Sequence, residues 1–154
     1  MNVEKFSEPL RVFIAGVMQA NRRDTLMESQ DYRVMLSDAL RRHIPDVQLI
    51  DPWAENPNSL EYNDDQARHT FLTMTNKASE ADLLIAYLPL PSMGTAMEMW
   101  EASQAGAYVV VVTPYIHNWA MKFTSDEILP DLDSLIAAIE NGRIHHWAKK
   151  RNNS

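Results

Sequence analysis

Ala81-Asp82-Leu83-Leu84-Ile85-Ala86-Tyr87-Leu88 runs directly into Pro89-Leu90-Pro91-Ser92-Met93-Gly94-Thr95-Ala96-Met97-Glu98, and this junction decides the fold. The first eight residues form an apolar run of strand length, broken by two prolines that cannot continue a ladder. Helical spacing follows over residues 95–104. A buried strand that hands over to a helix within a few residues is half of a β-α-β unit.

The same alternation recurs on either side. Leu10-Arg11-Val12-Phe13-Ile14-Ala15 is an apolar run that ends at Gly16, and a polar loop follows it. Thr25-Leu26-Met27-Glu28 has the capping-box pattern, which predicts a helix over residues 25–43. Tyr32, Met35, Leu36, Ala39 and Leu40 form its apolar stripe. Pro45 ends it, and residues 47–50 read as a second strand. Residues 52–63 read as a long loop, of a length that usually covers a site. Residues 64–79 read as a helix, 107–112 as a fourth strand, and 132–140 as a helix stopped by Gly142.

Nearly continuous apolar strands alternating with helices predict a parallel sheet covered on both faces. The expected architecture is α/β: one doubly wound, Rossmann-like (flavodoxin-like) domain spanning residues 1–154, with four or five strands. Right-handed crossovers favour the strand order 2-1-3-4, with room for a fifth strand near residues 143–147. The polar tails, residues 1–9 and 149–154, are expected to fray. Ligands of such sheets sit beyond the carboxyl ends of the strands, at the switch point between strands 1 and 3.

Composition narrows the function. The 154 residues are 45% hydrophobic and 23% charged, as in ordinary globular proteins. There is no cysteine, which excludes disulfides and thiolate chemistry. No apolar run approaches the ~20 residues of a membrane helix, and the start lacks a signal-peptide pattern. A cytoplasmic protein without a membrane partner is expected. The net charge of −7 and the dispersed basic residues argue against nucleic-acid binding. The five histidines lack ligand spacing, and the NAD, P-loop and G-x-S-x-G signatures are absent, so neither metal nor cofactor is expected.

The strand-to-helix junction carries the chemistry. Ser92 offers a hydroxyl, Gly94 permits close approach to the backbone, and the helix start presents unpaired N–H groups to an anion. Glu98, one turn further on, can project over the same crevice. Thr95-Ala96-Met97-Glu98 also reads as a capping box in which the glutamate merely satisfies a backbone donor, and pattern alone leaves these readings level.

Gly16 after a first strand, Ala81-Asp82-Leu83-Leu84-Ile85-Ala86, Pro91-Ser92-Met93-Gly94-Thr95 with Glu98, and Val109-Val110-Val111-Val112-Thr113-Pro114 together resemble the nucleoside 2-deoxyribosyltransferase superfamily. The resemblance spans about residues 11–114 and is closest to the nucleotide N-hydrolase branch. It implies that Glu98 attacks or stabilises the anomeric carbon. It also implies that Ser92 and Gly94 help bind a 5′-phosphate and that Gly16 with its loop frames the sugar. Asp82 and Thr95 fall among its implied substrate-binding residues. The chemistry is coherent, because cleaving a C–N glycosidic bond develops oxocarbenium character that a carboxylate stabilises or captures.

The chain departs from that pattern twice. Phe13 stands where the deoxynucleotide hydrolases carry a tyrosine, so it is either a changed sugar contact or plain strand core. Met74 stands about where the family places an aspartate. The leaving-group acid is therefore open, with His69 the leading candidate and Asp64 or Asp65 behind it. Arg22 or Arg23 can clamp a phosphate, or occupy a solvated turn. Tyr87 closes the third strand near the switch point. Tyr115 and Trp119 suit either base stacking or a subunit contact, and the resemblance favours a homodimer or higher homo-oligomer.

The expected partner is thus a nucleoside or nucleoside 5′-monophosphate. Three alternatives stand beside this reading. Gly94-Thr95-Ala96-Met97-Glu98 is also similar to part of the motif of lysine-decarboxylase-like phosphoribohydrolases, without its paired glycines. The missing aspartate fits a nucleotide sensor that does not turn its ligand over. The blandest alternative is a structural oligomeric domain.

Overall fold

The computed structural model describes residues 8–19, 23 and 27–150, Lys150 as backbone only. Arg22, Thr25 of the expected capping box, and the tail residues 1–7 and 151–154 lie outside the described residues. The expected β-α alternation is present. β1 (Arg11–Gly16), β2 (Gln48–Ile50), β3 (Leu83–Tyr87), β4 (Tyr108–Val112) and β5 (Glu127–Leu129) form one sheet in the order β2-β1-β3-β4-β5, with every pair parallel. Between them run α1 (Asp31–His43), α2 (Pro52–Glu55), α3 (Asp64–Lys77), α4 (Met93–Gln104) and α5 (Trp119–Thr124), and α6 (Leu132–Glu140) and α7 (Arg143–Lys150) complete the order.

The strands are apolar throughout because both faces are covered. Val12, Ile14, Leu83, Ile85, Val110 and Val112 point to one side, against Leu36 and Leu40 of α1, Leu135 and Ile139 of α6, and Trp147 of α7. Phe13, Ala15, Leu84, Ala86, Val109 and Val111 point to the other, against Met99 and Ala102 of α4 and Met121 of α5. This is the two-residue alternation of a strand, apolar on both phases.

Several details differ from the sequence expectation. The first long helix begins at Asp31, because residues 27–30 are tied back to the loop after β1. There the Glu28 N–H donates to the Met18 carbonyl at 2.6 Å, and the Gln30 amide donates to the Val17 and Glu28 carbonyls. Met35, expected on the buried stripe, is exposed, and Arg33 is buried in that helix instead. Residues 52–63 are not a plain loop: Asp51 caps α2, and one 3-10 turn spans Ser59–Glu61. The fifth strand is not at residues 143–147, which are helical because Ile144, Trp147 and Ala148 recur at helical spacing and are buried. β5 is instead a three-residue segment, too short to show a period. The helix also carries Lys149 and Lys150, which the sequence assigned to a fraying tail.

Strand register sets the position of the site. Gly16 pairs with Tyr87 and Tyr87 with Val112, so the loops that follow β1, β3 and β4 leave along one edge, joined by the loop after β2.

Candidate functional site

Glu98 sits on α4, which begins earlier than its sequence pattern implied. Ser92 is the N-cap, with its Oγ accepting from the Thr95 N–H at 3.3 Å and from Thr95 Oγ1 at 3.1 Å. Thr95 therefore occupies the third helical position and cannot cap, and the expected Thr95–Glu98 capping box does not form. This frees Glu98 from a structural duty. The residue is half-buried, yet its Oε2 is shielded from solvent and has no hydrogen-bond partner.

An uncompensated buried carboxyl resists ionisation. Burial pushes the Glu98 pKa up to about 8; the Arg33 guanidinium pulls it down and the Asp51 carboxylate pushes it up. About one tenth of Glu98 is then ionised at pH 7. Strongly raised carboxyls in a cleft are a common mark of functional sites.

The carboxyl opens on a cavity of about 260 Å³ beyond the carboxyl ends of β1 and β2. Met18, Gln19 and Met27 wall it from the loop after β1, and Pro52, Asn56, Ser59 and Tyr62 from the segment after β2. Helix α3 contributes Ala67, Thr70, Phe71, Met74 and Thr75, the spacing of a single helical face. That helix is held by a complete capping box between Asn63 and Gln66. Apolar walls with scattered amide and hydroxyl groups suit an aromatic, hydrogen-bonding ligand. A larger groove of about 490 Å³ lies between α1 and α2, but the buried charges on its wall, Arg33 and Asp51, satisfy each other.

The structure does not gather every expected residue here. His69 is exposed and lies off the α3 face that lines the cavity. Asp64 and Asp65 are also exposed, and Asp65 pairs with Arg68 at 3.3 Å. Met74, where the sequence resemblance implied an aspartate, lines the cavity. Asp82 precedes β3 and accepts from the Arg11 N–H at 2.9 Å, which puts it at the amino edge of the sheet, opposite the cavity. Phe13 is fully buried in the core. Arg23 is exposed.

Ser92 and Gly94 are at the start of α4, with Ser92 on a smaller cavity shared with Asn118 and Met121, and Thr95 is buried beneath them. Gly16 is buried against Tyr32, and the Tyr87 ring packs against Tyr32 at a tilt of 55° with ring centres 4.7 Å apart. Burial raises the Tyr32 phenol well above its ordinary pKa, so it stays a neutral donor. Tyr115 and Trp119 are exposed.

Sequence reasoning missed Arg33, Asp51 and Tyr62. Asp51 directly before Pro52 had a readable signal, an N-cap followed by proline at the first helical position. Arg33 had none, because an arginine on a helix is usually solvated. Among the described residues no group of three or more His, Asp or Glu side chains converges as metal ligands would, and no helix is long and apolar enough to cross a membrane.

Fold and site together define a class: a doubly wound α/β domain with a buried carboxyl at the ligand end of its sheet. The chain shares this fold with a 2-deoxyribosyltransferase from Bacillus psychrosaccharolyticus, at TM-score 0.60 and 16% identity over 84% of this chain and 95% of that one. It also shares it with a conserved protein from Enterococcus faecalis V583, at TM-score 0.58 and 17% identity over 87% and 99%. The Clostridium botulinum CMP N-glycosidase BcmB aligns over 85% of this chain and 98% of its own, at 19% identity and TM-score 0.49. No protein-family model matches the chain, and no curated protein matches its sequence.

Proposed function

We propose that this protein cleaves or transfers at the N-glycosidic bond of a nucleoside or nucleoside 5′-monophosphate, with Glu98 as the working carboxylate. The observation that carries the reading is the Glu98 Oε2, buried, unpartnered and set at a cavity beyond the carboxyl ends of the strands. A shared fold with a 2-deoxyribosyltransferase supports it. In its ionised state Glu98 would attack C1′ as the C1′–N bond breaks, or stabilise the oxocarbenium ion while water attacks. In the covalent route, water or a second base then takes the sugar and releases the carboxylate.

The departing base needs a proton. Among the described cavity residues the titratable side chain besides Glu98 is Tyr62, whose Oη donates to Asn56 Oδ1 at 3.3 Å. Water or Tyr62 would supply the proton in place of the family's aspartate. Ser92, at the start of α4, is the proposed phosphate contact. The test is chromatographic release of free base from a panel of nucleosides and 5′-monophosphates by wild type and Glu98→Gln, with and without an acceptor base. Release that disappears in the variant supports the reading, and intact substrates throughout overturn it.

Met74 on the cavity wall favours a second reading, a nucleotide sensor without turnover. Tight binding of a nucleotide with no base release in the same panel would select it.

The proposal includes a homodimer. Met93, Met97 and Trp100 form an exposed apolar stripe on α4, with Met93 87% and Trp100 53% exposed, and Leu72 of the neighbouring α3 is exposed as well. A contiguous apolar patch of this kind is unusual on a monomer. Light scattering after size exclusion should give twice the chain mass, falling to one chain in Trp100→Glu. A monomeric wild type overturns it.

A further inference from the structure

Arg33 occupies a position that the α1 stripe should give to an apolar residue, and it is 2% exposed. The reason lies in the sheet. The Gln48 N–H donates to the Leu10 carbonyl at 2.8 Å, so the even-numbered carbonyls of β1 face β2. The β1–β2 register ends at Phe13 with Ile50. The next carbonyls in that series belong to Ile14 and Gly16, and they run past β2 to Pro52, which has no N–H to give. Buried carbonyls left this way are costly. Arg33 replaces the missing strand: its Nη1 donates to the Ile14 carbonyl at 2.9 Å and its Nη2 to the Gly16 carbonyl at 3.4 Å.

The remaining donors tie in the neighbouring elements. Nη1 also reaches Asp51 Oδ1 at 2.9 Å, and Nε reaches Gln30 Oε1 at 2.7 Å. The same Asp51 oxygen caps α2, accepting from the Trp53 N–H at 3.0 Å and the Ala54 N–H at 3.4 Å. One guanidinium therefore joins the ends of β1 and β2 to the starts of α1 and α2. The loops leaving those ends carry Met18, Gln19, Pro52 and Asn56 of the Glu98 cavity.

We infer that Arg33, paired with Asp51, is the positioning residue of the site: it frames the cavity and places a buried positive charge, partly offset by its partner, within reach of Glu98. This rests on Glu98 being the working carboxylate. The two charges act on Glu98 in opposite directions, Arg33 favouring the ionised form and Asp51 opposing it. Among the described residues the other titratable groups toward Glu98 are Tyr32 of α1, with Tyr87 of β3 packed against it, and Tyr62 after β2; the α3 wall contributes none. Among the described residues Arg33 and Asp51 are the charges that move Glu98.

The test follows the Glu98 side-chain carbon by NMR in protein labelled at its glutamates, with the resonance assigned by its loss in Glu98→Gln. Wild type should titrate near about 8. Asp51→Asn should move the midpoint down and Arg33→Met should move it up. Arg33→Met with Asp51→Leu removes both charges and should fall between the single variants. Arg33→Lys, which keeps the charge, should stay near wild type. A merely structural Arg33 would lower the melting temperature in each variant without these opposed movements. If Arg33→Met fails to fold, Asp51→Asn still decides, and an unmoved midpoint there overturns the inference. Opposed shifts in a protein that releases no base would keep the electrostatic pair and remove the glycosidic reading. Base release with unmoved midpoints would do the reverse.

Discussion

The Tyr32 hydroxyl stands where a side chain on Gly16 would have to be: a Cβ built on Gly16 would lie 2.1 Å from Tyr32 Oη and 2.7 Å from Cζ. Glycine ends β1 here because an aromatic ring from α1 closes over the strand end, at the position the sequence assigned to framing a sugar. The phenol reaches the Val17 carbonyl at a marginal 3.5 Å, so packing holds it more than hydrogen bonding does.

Gly16→Ala should therefore destabilise the fold by about 1–3 kcal/mol, the usual cost of overpacking a filled interior. Urea unfolding measures it. A change near zero would mean that Tyr32 swings away freely.

Base release should depend on pH through Glu98. On the proposed mechanism Glu98 acts ionised and its pKa is about 8, so kcat/KM should rise through that pH and level off above it. A profile flat from about pH 6 to about pH 9 would exclude ionised Glu98 as the limiting group.

Folding stability should run the other way. Folding raises the Glu98 pKa from 4.5 to about 8, so its proton-linked contribution is full below 4.5 and is lost as pH rises through about 8. Glu98→Gln should match wild type in acid and exceed it by roughly 3–5 kcal/mol at the alkaline end. Melting curves across that window check the sign.

Ser92→Ala removes the N-cap of α4 and should cost about 0.5–2 kcal/mol. If Ser92 also meets phosphate, KM for a 5′-monophosphate should rise more than KM for the matching nucleoside. Equal rises would leave it a cap alone.

His69→Ala should leave base release unchanged, because His69 faces away from the cavity. A loss of activity in this variant would require α3 to turn in the working enzyme.

Much of the fold was legible because it depends on local pattern. The runs around Phe13, Leu84 and Val110 could only be strands covered on both faces, and the parallel order followed from the helices between them. β5 was invisible because Glu127–Leu129 is shorter than one readable period, and α7 was misread because its buried face becomes apparent only once α6 and β4 lie beside it. At the site, Glu98 and Ser92 were legible from one strand-to-helix junction. Asp82 came with the same stretch of sequence but belongs to the opposite end of the sheet.

Alone, the sequence determined that β1, β3 and β4 are buried parallel strands and that Glu98 follows one of them into a helix, since apolar runs and turn residues act over a few positions. Tertiary structure decided the state of that glutamate. Burial raises its pKa, Arg33 opposes the rise and Asp51 adds to it, and these two residues are 65 and 47 positions away along the chain. Desolvation and charge act through space, and only folding brings those groups within range.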